Sequence, residues 1–185
     1  MLWTVGGLWL SERLPVSVSF AAALARRVVM LINRTTGSAS VVPELVYVDV
    51  EQAVDWLCKA FGFTELWHAG GHRARIALGN GMLVVADADP KYGRAAPKRG
   101  QSHCHSVMVK VDDVDAHHDR ARRHGARILA PPTDYPYGER EYSAEDLEGH
   151  RWTFTQAIAD LLPEDWGGTS TSALTDRGGV LSEPL

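Results

Sequence analysis

The sequence predicts an α+β protein made of two βαβββ modules in tandem, and an internal repeat is the first observation behind this prediction. Five residues recur 63 positions apart: Val46, Val48, Asp49, Ala53 and Gly62 are matched by Val109, Val111, Asp112, Ala116 and Gly125. In each copy, alternating apolar residues predict a strand, the Asp predicts a helix N-cap and the Gly predicts a helix C-cap. Each half of the chain is therefore expected to open with a strand followed by a helix.

The first module contains a helix with well-marked ends and three further strands. Asp49 and Gln52 have the spacing of a capping box, and Val54, Leu57, Cys58 and Phe61 form an apolar helical stripe. The stripe predicts that one face of this helix packs on a sheet. A GlyAsnGly sequence at 79–81 predicts a hairpin turn, so that the strands are expected at Leu45–Val48, Thr64–His68, Arg73–Leu78 and Met82–Asp87.

The second module follows the same order with a weaker helix. Its stripe is Val114, His118 and Ala121, so His118 is interpreted as a half-buried packing residue. Strands are expected at Val107–Val111, Arg127–Ala130, Glu139–Ser143 and Arg151–Gln156, with an insertion of about five residues in the Pro-rich and Tyr-rich loop at 131–138. The modules are placed at about 41–88 and 102–157. The polar linker at 89–101 is long enough to suggest a functional lid or hinge.

Both ends of the chain are expected to lie outside the 41–167 domain. Residues 168–185 lack periodicity and predict a disordered tail. Residues 1–40 are an N-terminal extension whose apolar run at 15–32 is interrupted by Arg26 and Arg27, which argues against both a membrane span and a secretory signal. Two interpretations of the extension stay open: an amphipathic targeting or partner-binding helix, and a natural translation start at Met30.

The composition excludes several classes of partner. Nineteen Lys and Arg residues against 23 Asp and Glu residues give a net charge of −4, whereas a surface that tracks phosphates needs clustered positive charge. We therefore expect neither nucleic acid nor a membrane as a partner. Two cysteines in 185 residues are too few for a disulfide framework, so a cytoplasmic location is expected.

Three segments carry a resemblance to a known family. They are ValAspAspValAspAla at 111–116, HisGlyAla at 124–126, and TyrGlyGluArgGluTyrSerAlaGluAspLeuGluGlyHisArgTrpThrPhe at 137–154. Together with the paired modules, they resemble the vicinal oxygen chelate superfamily, which includes glyoxalase I, extradiol dioxygenases and bleomycin-resistance proteins. The last segment is similar to the PhnB-like branch, with Leu147 in place of the usual proline. The resemblance implies a curled mixed sheet around a cleft and a homodimer in which a second subunit completes that cleft.

The resemblance also implies where metal ligands would lie. Metal-dependent members carry His or Glu at inward strand positions that fall here on Pro43, Val85, Ser106 and Thr153, none of which suits a metal. No metal cofactor is therefore expected. If the alignment slips by one residue, His105 is the candidate ligand for Zn, Ni, Fe or Mn. His105 also pairs with His103 in a His-x-His pattern, but no carboxylate follows closely enough to complete such a site.

Strand alternation, applied to this fold, predicts the lining of the cleft. The inward set is Leu45, Tyr47, Leu83, Val85, Ser106, Met108, Lys110, Arg151 and Thr153. Lys110 and Arg151 offer charge-assisted donors to an anionic or carbonyl-bearing ligand, and tyrosines offer stacking surface. Both kinds of residue have an alternative interpretation as solvated cations and loop-packing tyrosines. The ligand-binding candidates are Tyr47, Ser106, Met108, Lys110, Tyr137, Arg140, Arg151 and Thr153.

Arg140 and Tyr142, with Glu139 and Glu141, are equally consistent with the solvent-facing ladder of an edge strand. Catalytic residues stay unassigned, because no nucleophile set is recognisable and Cys58 lies on the packed stripe of its helix. Two functions therefore remain. One is a metal-free protein that binds a planar or aromatic small molecule. The other is a metal-dependent lyase, isomerase or extradiol-type dioxygenase of the same superfamily.

Overall fold

The computed structural model describes residues 39–100 and 104–171, together with Thr35. The predictions for the extension therefore lie almost entirely outside the described residues, as do His103 and residues 172–185 of the predicted tail. In the described part, two α-helices accompany two four-stranded mixed sheets, which confirms the α+β class and the βαβββ order of each module. No helix in that part of the chain combines the length and apolar character needed to cross a bilayer.

The first module consists of β1 Glu44–Tyr47, α1 Val50–Phe61, β2 Thr64–Ala69, β3 Arg73–Leu78 and β4 Gly81–Asp87, with the strand order β1-β4-β3-β2. The predicted caps of α1 are confirmed: the Asp49 side chain accepts a hydrogen bond from the Gln52 backbone, and Gly62 is left-handed at φ 77°. The hairpin is also confirmed, because Leu78 pairs with Gly81 across a two-residue turn.

The second module consists of β5 Val107–Lys110, α2 Val114–Arg123, β6 Arg127–Tyr135, β7 Glu139–Glu145 and β8 Arg151–Ala157, with the strand order β5-β8-β7-β6. The N-cap of α2 is Asp113, not Asp112, because the Asp113 side chain accepts the hydrogen bond from the Ala116 backbone. The structural repeat is thus 64 residues at the N-caps, one more than the sequence comparison indicated. The buried residues of α2 are accordingly Val114, His117 and Ala121, while His118 is half-buried as expected.

This one-residue difference reverses the predicted faces of the first sheet. Leu45, Tyr47, Leu83 and Val85 were expected to face the cleft, but all four are buried in the core beneath the helices. A one-residue change in register moves every side chain of a strand to the opposite face. The opposite face of this sheet carries Val46, Val84 and Ala86 instead, as the strand pairing shows. In the second sheet the predicted faces are correct, since Trp152 and Phe154 are fully buried while Met108 is 62% exposed.

The Pro-rich segment at 131–138 is mostly strand, although it was predicted to be an inserted loop. β6 runs on to Tyr135 and pairs with β7, with register shifts between Ile128 and Thr133. Strand proline is tolerated where no ladder hydrogen bond is lost, and β6 is an edge strand. β7 is an inner strand, so the interpretation of Glu139–Tyr142 as an edge ladder is wrong.

A fully buried carboxylate joins the two modules. Asp146 Oδ2 accepts hydrogen bonds from the Tyr47 hydroxyl at 2.6 Å and from Trp152 Nε1 at 3.0 Å. Its Oδ1 accepts three backbone N–H groups, those of Glu148, Gly149 and His150. The Glu148 carboxylate in turn accepts from the Val48 backbone. The turn after β7 therefore anchors the junction between β1 and α1.

Candidate functional site in the open face of the second sheet

The candidate site lies on the face of the second sheet that points away from the helices. Side chains alternate along β7, so that Tyr142 and Ala144 enter the core while Ser143 and Glu145 point to the opposite face. On β8, Arg151 and Thr153 share that face, because they pair directly with Glu145 and Ser143. On β5, Met108 pairs with Thr153 and completes the row.

A cavity of about 540 Å³ opens on this face. Its lining is Cys104, His105, Ser106, Leu129, Ala130, Ser143, Arg151, Trp152 and Thr153. Three of the predicted ligand-binding residues, Ser106, Arg151 and Thr153, are therefore brought together. Sequence reasoning missed Ser143 and Leu129, because only the fold shows that Ser143 pairs with Thr153 and that Leu129, on the neighbouring strand β6, lines the same cavity.

Two other predicted residues line a second, more apolar cavity of about 380 Å³. Met108 and Lys110 meet the Gly79–Leu83 hairpin, Pro43 and Phe63 there. This cavity lies along β5, which is an edge strand of its sheet. The cleft candidates are thus divided between two neighbouring cavities.

Tyr47 was expected in the cleft, but it is fully buried and its hydroxyl donates to Asp146. Burial, followed by the Asp146 carboxylate, raises the pKa of Tyr47 well above its ordinary value, so the phenol stays protonated. Arg140 was predicted as a ligand-binding residue, but it lies on the helix side of β7. Its guanidinium forms a hydrogen-bonded ion pair with Asp115 of α2 at 3.0 Å. Alternation along β7 places Arg140 with Tyr142, on the core side.

Tyr137 belongs to an aromatic group at the far end of β7. Its ring stacks on Tyr135 with centroids 5.2 Å apart and meets the edge of Trp166 at 6.0 Å. Desolvation and the neighbouring Glu141 carboxylate raise the pKa of Tyr137 to about 12. Tyr135 and Trp166 are 37% and 45% exposed, which leaves aromatic surface available. Trp166 was not predicted as a site residue, since its segment lies outside both repeats.

Two carboxylates give this aromatic end an acidic character. Glu139 accepts a hydrogen bond from the Thr155 hydroxyl, and Glu141 accepts one from the Tyr137 hydroxyl. Burial raises the pKa of Glu141, with a further contribution from Glu139. Arg151 and the hydroxyls lie at the opposite end of β7, so one end of the face is basic and the other acidic.

The residues at the metal-ligand positions do not fit a divalent metal. Of the four positions predicted from the resemblance, Pro43 and Val85 have no metal-binding side-chain atom, and Ser106 and Thr153 have only hydroxyl groups. Strand pairing places Glu44 beside Val84 where the second module has Met108 beside Thr153, and the Glu44 carboxylate already forms ion pairs with Arg73 and Arg94. Nowhere in residues 39–100 and 104–171 do three His, Cys, Asp or Glu side chains gather as a metal site would require.

His105 lines the same cavity as Ser106, although it was expected on the opposite face. The reason is that β5 begins only at Val107, so strand alternation does not govern residues 104–106. The Sγ atom of Cys104 lies 3.5 Å from His105 Nδ1, and this thiol is exposed. Cys58 is half-buried on α1, where desolvation raises its pKa and leaves the thiol protonated.

Comparison with known proteins agrees with this geometry. A model of the Glyoxalase/Bleomycin resistance protein/Dioxygenase superfamily matches residues 32–154. The chain belongs to this superfamily. The glyoxalase-type architecture explains why two βαβββ modules share one core, with helices on one side of the sheets and an open face on the other.

Individual relatives in the superfamily extend the comparison. The crystal structure of TioX from Micromonospora sp. ML1 is 38% identical, with a TM-score of 0.54 over 65% of this chain and 100% of that chain. Uncharacterised proteins of Mycobacterium bovis and Mycobacterium tuberculosis are 28% identical over 127 residues, 64% of this chain and 75–84% of theirs. Another solved structure is that of a mutant of the fosfomycin resistance protein FosX from Listeria monocytogenes, complexed with Mn(II) and a dihydroxypropylphosphonic acid. It is 13% identical, with a TM-score of 0.51 over 67% of this chain and 92% of that chain. At this identity the likeness shows a shared fold alone.

Proposed function

We propose that this protein binds a small, planar organic molecule on the open face of its second sheet, without a catalytic metal. The observation that carries the proposal is the cavity beside Arg151, where a cation, three hydroxyl-bearing residues and apolar Leu129 line one recess. Ligand sites typically combine apolar walls with a few fixed polar groups in this way. The residues at the predicted metal positions, Pro43, Val85, Ser106 and Thr153, support a metal-free site, and the nearby Glu44 carboxylate is already paired with two arginines.

The aromatic group at the other end of the face supports a planar ligand. A ring that stacks on the exposed side of Tyr135 continues the stack that Tyr135 already makes with Tyr137. Aromatic pairs contribute about 0.5–1.5 kcal/mol beyond the area that they bury. Ligand shape, rather than metal coordination, then determines selectivity.

The proposal includes a homodimer located in the cytoplasm and membership of the PhnB-like branch. β5 is an edge strand that exposes Met108 beside an apolar cavity, and a second subunit would cover both. Both cysteines are free, as a reducing compartment favours. The AspLeuGluGlyHisArgTrp sequence at 146–152 supports the branch assignment.

One observation favours the alternative, a metal-dependent lyase, isomerase or dioxygenase. His105 lines the cavity beside Ser106, so a metal bound there has at least one imidazole within reach. A divalent site typically needs three or four protein ligands, and the described residues bring no third His, Cys, Asp or Glu to His105 and its neighbour Cys104.

A thermal-shift screen of planar metabolites and antibiotics, combined with elemental analysis, tests the proposal. We expect at least one planar compound to raise the melting temperature of the protein as purified, with EDTA leaving that shift unchanged. The binding should weaken in Arg151→Gln and persist in Arg122→Gln, a matched change on the solvent-exposed side of α2. About one metal per chain, lost on His105→Ala, would establish the enzyme alternative instead.

A further inference from the structure

We infer that the cavity beside Arg151 is a subsite for an oxyanion group of the ligand, namely a carboxylate, phosphate or phosphonate. This inference deepens the proposed function and rests on it, because it assigns chemistry to one end of the proposed ligand. It assigns a ligand-binding role to Ser143 as well as to Arg151. It also depends on the net charge of Arg151 together with the buried Glu145, with which Arg151 forms an ion pair.

Arg151 presents unused hydrogen-bond donors to the cavity. Its side chain is 42% exposed, and in the described part of the chain its ion-pair partner is Glu145, whose Oε1 lies 3.7 Å from Arg151 Nε. These two atoms are close enough to form an ion pair but too far apart for a hydrogen bond. Within residues 39–100 and 104–171, no protein group accepts a hydrogen bond from the Nη1 and Nη2 groups of Arg151. Such a guanidinium edge has the geometry that binds carboxylates and phosphates in pairs of hydrogen bonds.

Glu145 holds Arg151 in place without neutralising the cavity. The Glu145 side chain is fully buried, and its Oε2 accepts a hydrogen bond from Arg127 Nη1 at 2.8 Å. One carboxylate thus lies between two guanidinium groups, so that these three side chains carry one net positive charge. The excess lies on the exposed side, where Arg151 lines the cavity.

Hydroxyl groups supply neutral donors next to this charge. Ser143 Oγ and Thr153 Oγ1 lie 3.4 Å apart across the β7–β8 pair, and Ser106 lines the same cavity. Thr153 and Arg151 are two residues apart on one strand, a separation of roughly 7 Å along the strand. An oxyanion between them is within reach of both the guanidinium and the hydroxyls.

The other acidic groups of this face lie at a distance from the subsite. Glu141 and Glu139 precede Glu145 by four and six residues on β7, roughly 14 and 20 Å along the strand. Because the Coulomb interaction weakens with distance, these carboxylates act on an oxyanion beside Arg151 much more weakly than the adjacent guanidinium does. The ligand is therefore expected to bind with its oxyanion at Arg151 and its uncharged rings against the apolar Leu129 side of the same cavity.

Matched probes test the subsite by isothermal titration calorimetry of the full chain. The probes are 1-naphthoate, its neutral counterpart 1-naphthamide, and inorganic phosphate. We expect the wild-type protein to prefer naphthoate to naphthamide by about tenfold and to bind phosphate in the millimolar range. In Arg151→Gln this preference should fall to about twofold or less, whereas Arg122→Gln should retain it. A double variant, Ser143→Ala with Thr153→Val, should lose part of it.

The outcomes separate the subsite from the proposed function. Equal affinity for naphthoate and naphthamide, with no phosphate binding, would overturn the subsite while leaving planar-ligand binding intact. Phosphate binding that depends on Arg151, with neither naphthalene probe bound, would support the subsite and contradict the planar ligand. A preference for naphthoate that survives Arg151→Gln in a variant with unchanged melting temperature would also overturn the inference.

Discussion

Protonation of one buried histidine should destabilise the protein in mild acid. His117 of α2 is only 6% exposed and packs against the Phe154 ring with centroids 4.2 Å apart. Its Nε2–H donates to the Phe61 carbonyl at 3.0 Å, and its Nδ1 therefore accepts from the Tyr142 hydroxyl at 2.6 Å. The neutral imidazole satisfies both contacts, whereas a protonated ring places two donors against each other at Nδ1.

The sign and size of the effect follow from the pKa. Desolvation, with a smaller contribution from Arg120, lowers the pKa of His117 from 6.5 to about 4. Between these two values the unfolded chain binds a proton that the folded chain does not, so the free energy of unfolding falls as the pH falls. Integrating between pH 7 and pH 5 gives a loss of about 2 kcal/mol from His117.

Two other buried groups act in the same experiment. Burial also lowers the pKa of His150, which adds a loss of the same sign at acid pH. The raised pKa of Glu141 has the opposite effect, because that group contributes stability at low pH that is lost as the pH rises. A variant is therefore needed to isolate His117 from these contributions.

Urea unfolding of the wild type and His117→Gln at pH 7 and pH 5 provides the measurement. The variant should be less stable at pH 7, but its loss between the two pH values should be about 2 kcal/mol smaller than that of the wild type. Arg123→Gln, a change at an exposed residue of the same helix that has no group titrating between pH 5 and pH 7, should leave the wild-type pH dependence unchanged. If His117→Gln shows the same pH dependence as the wild type, the assignment of a neutral, buried His117 is wrong.

Three further predictions concern the core, a turn glycine and the assembly. Asp146→Asn should lower the free energy of unfolding by about 3 kcal/mol in urea titration, because the Trp152 Nε1–H loses its buried acceptor; a loss below 1 kcal/mol would contradict this. Gly138→Ala should cost more than Gly125→Ala, since both sites are left-handed but a Cβ at Gly138 would lie 2.7 Å from the Ala159 backbone oxygen; equal costs would remove the packing argument. Light scattering should give a dimer mass, and the 20.3 kDa monomer mass would refute the dimer.

Local sequence signals predicted the elements whose geometry depends on a few neighbouring residues. Asp49 caps α1 because its side chain needs only the Gln52 backbone, and Gly62 ends that helix because glycine adopts a left-handed conformation without steric cost. The hairpin after Leu78 is equally local. The family resemblance likewise depended on short segments, which is why the superfamily and the α+β class were predicted correctly.

Strand faces, and with them half of the candidate site, were decided by tertiary structure. A strand has a period of two, so one position of error in the repeat moved Tyr47 from the predicted cleft into the core, where it meets Asp146 from 99 residues away. Because of the same one-residue error, His118 was predicted to be the packing residue of α2, whereas His117 is the residue that enters the core. In the second module the strong Val107, Val109 and Val111 pattern indicated the correct face of β5, and the candidate residues Ser106, Arg151 and Thr153 line one cavity there.

The sequence by itself thus determined most of the segments that become helices and strands, because caps, turns and alternating apolar residues act over a few positions; the extension of β6 to Tyr135 is the exception. Only the tertiary structure decided which side chains share a cavity. Ser143 lies beside Thr153, and Arg151 beside the buried Glu145, because β7 and β8 pair in one register and not another. That register depends on burying Tyr142, Trp152 and Phe154 together, a condition set by the packed core as a whole.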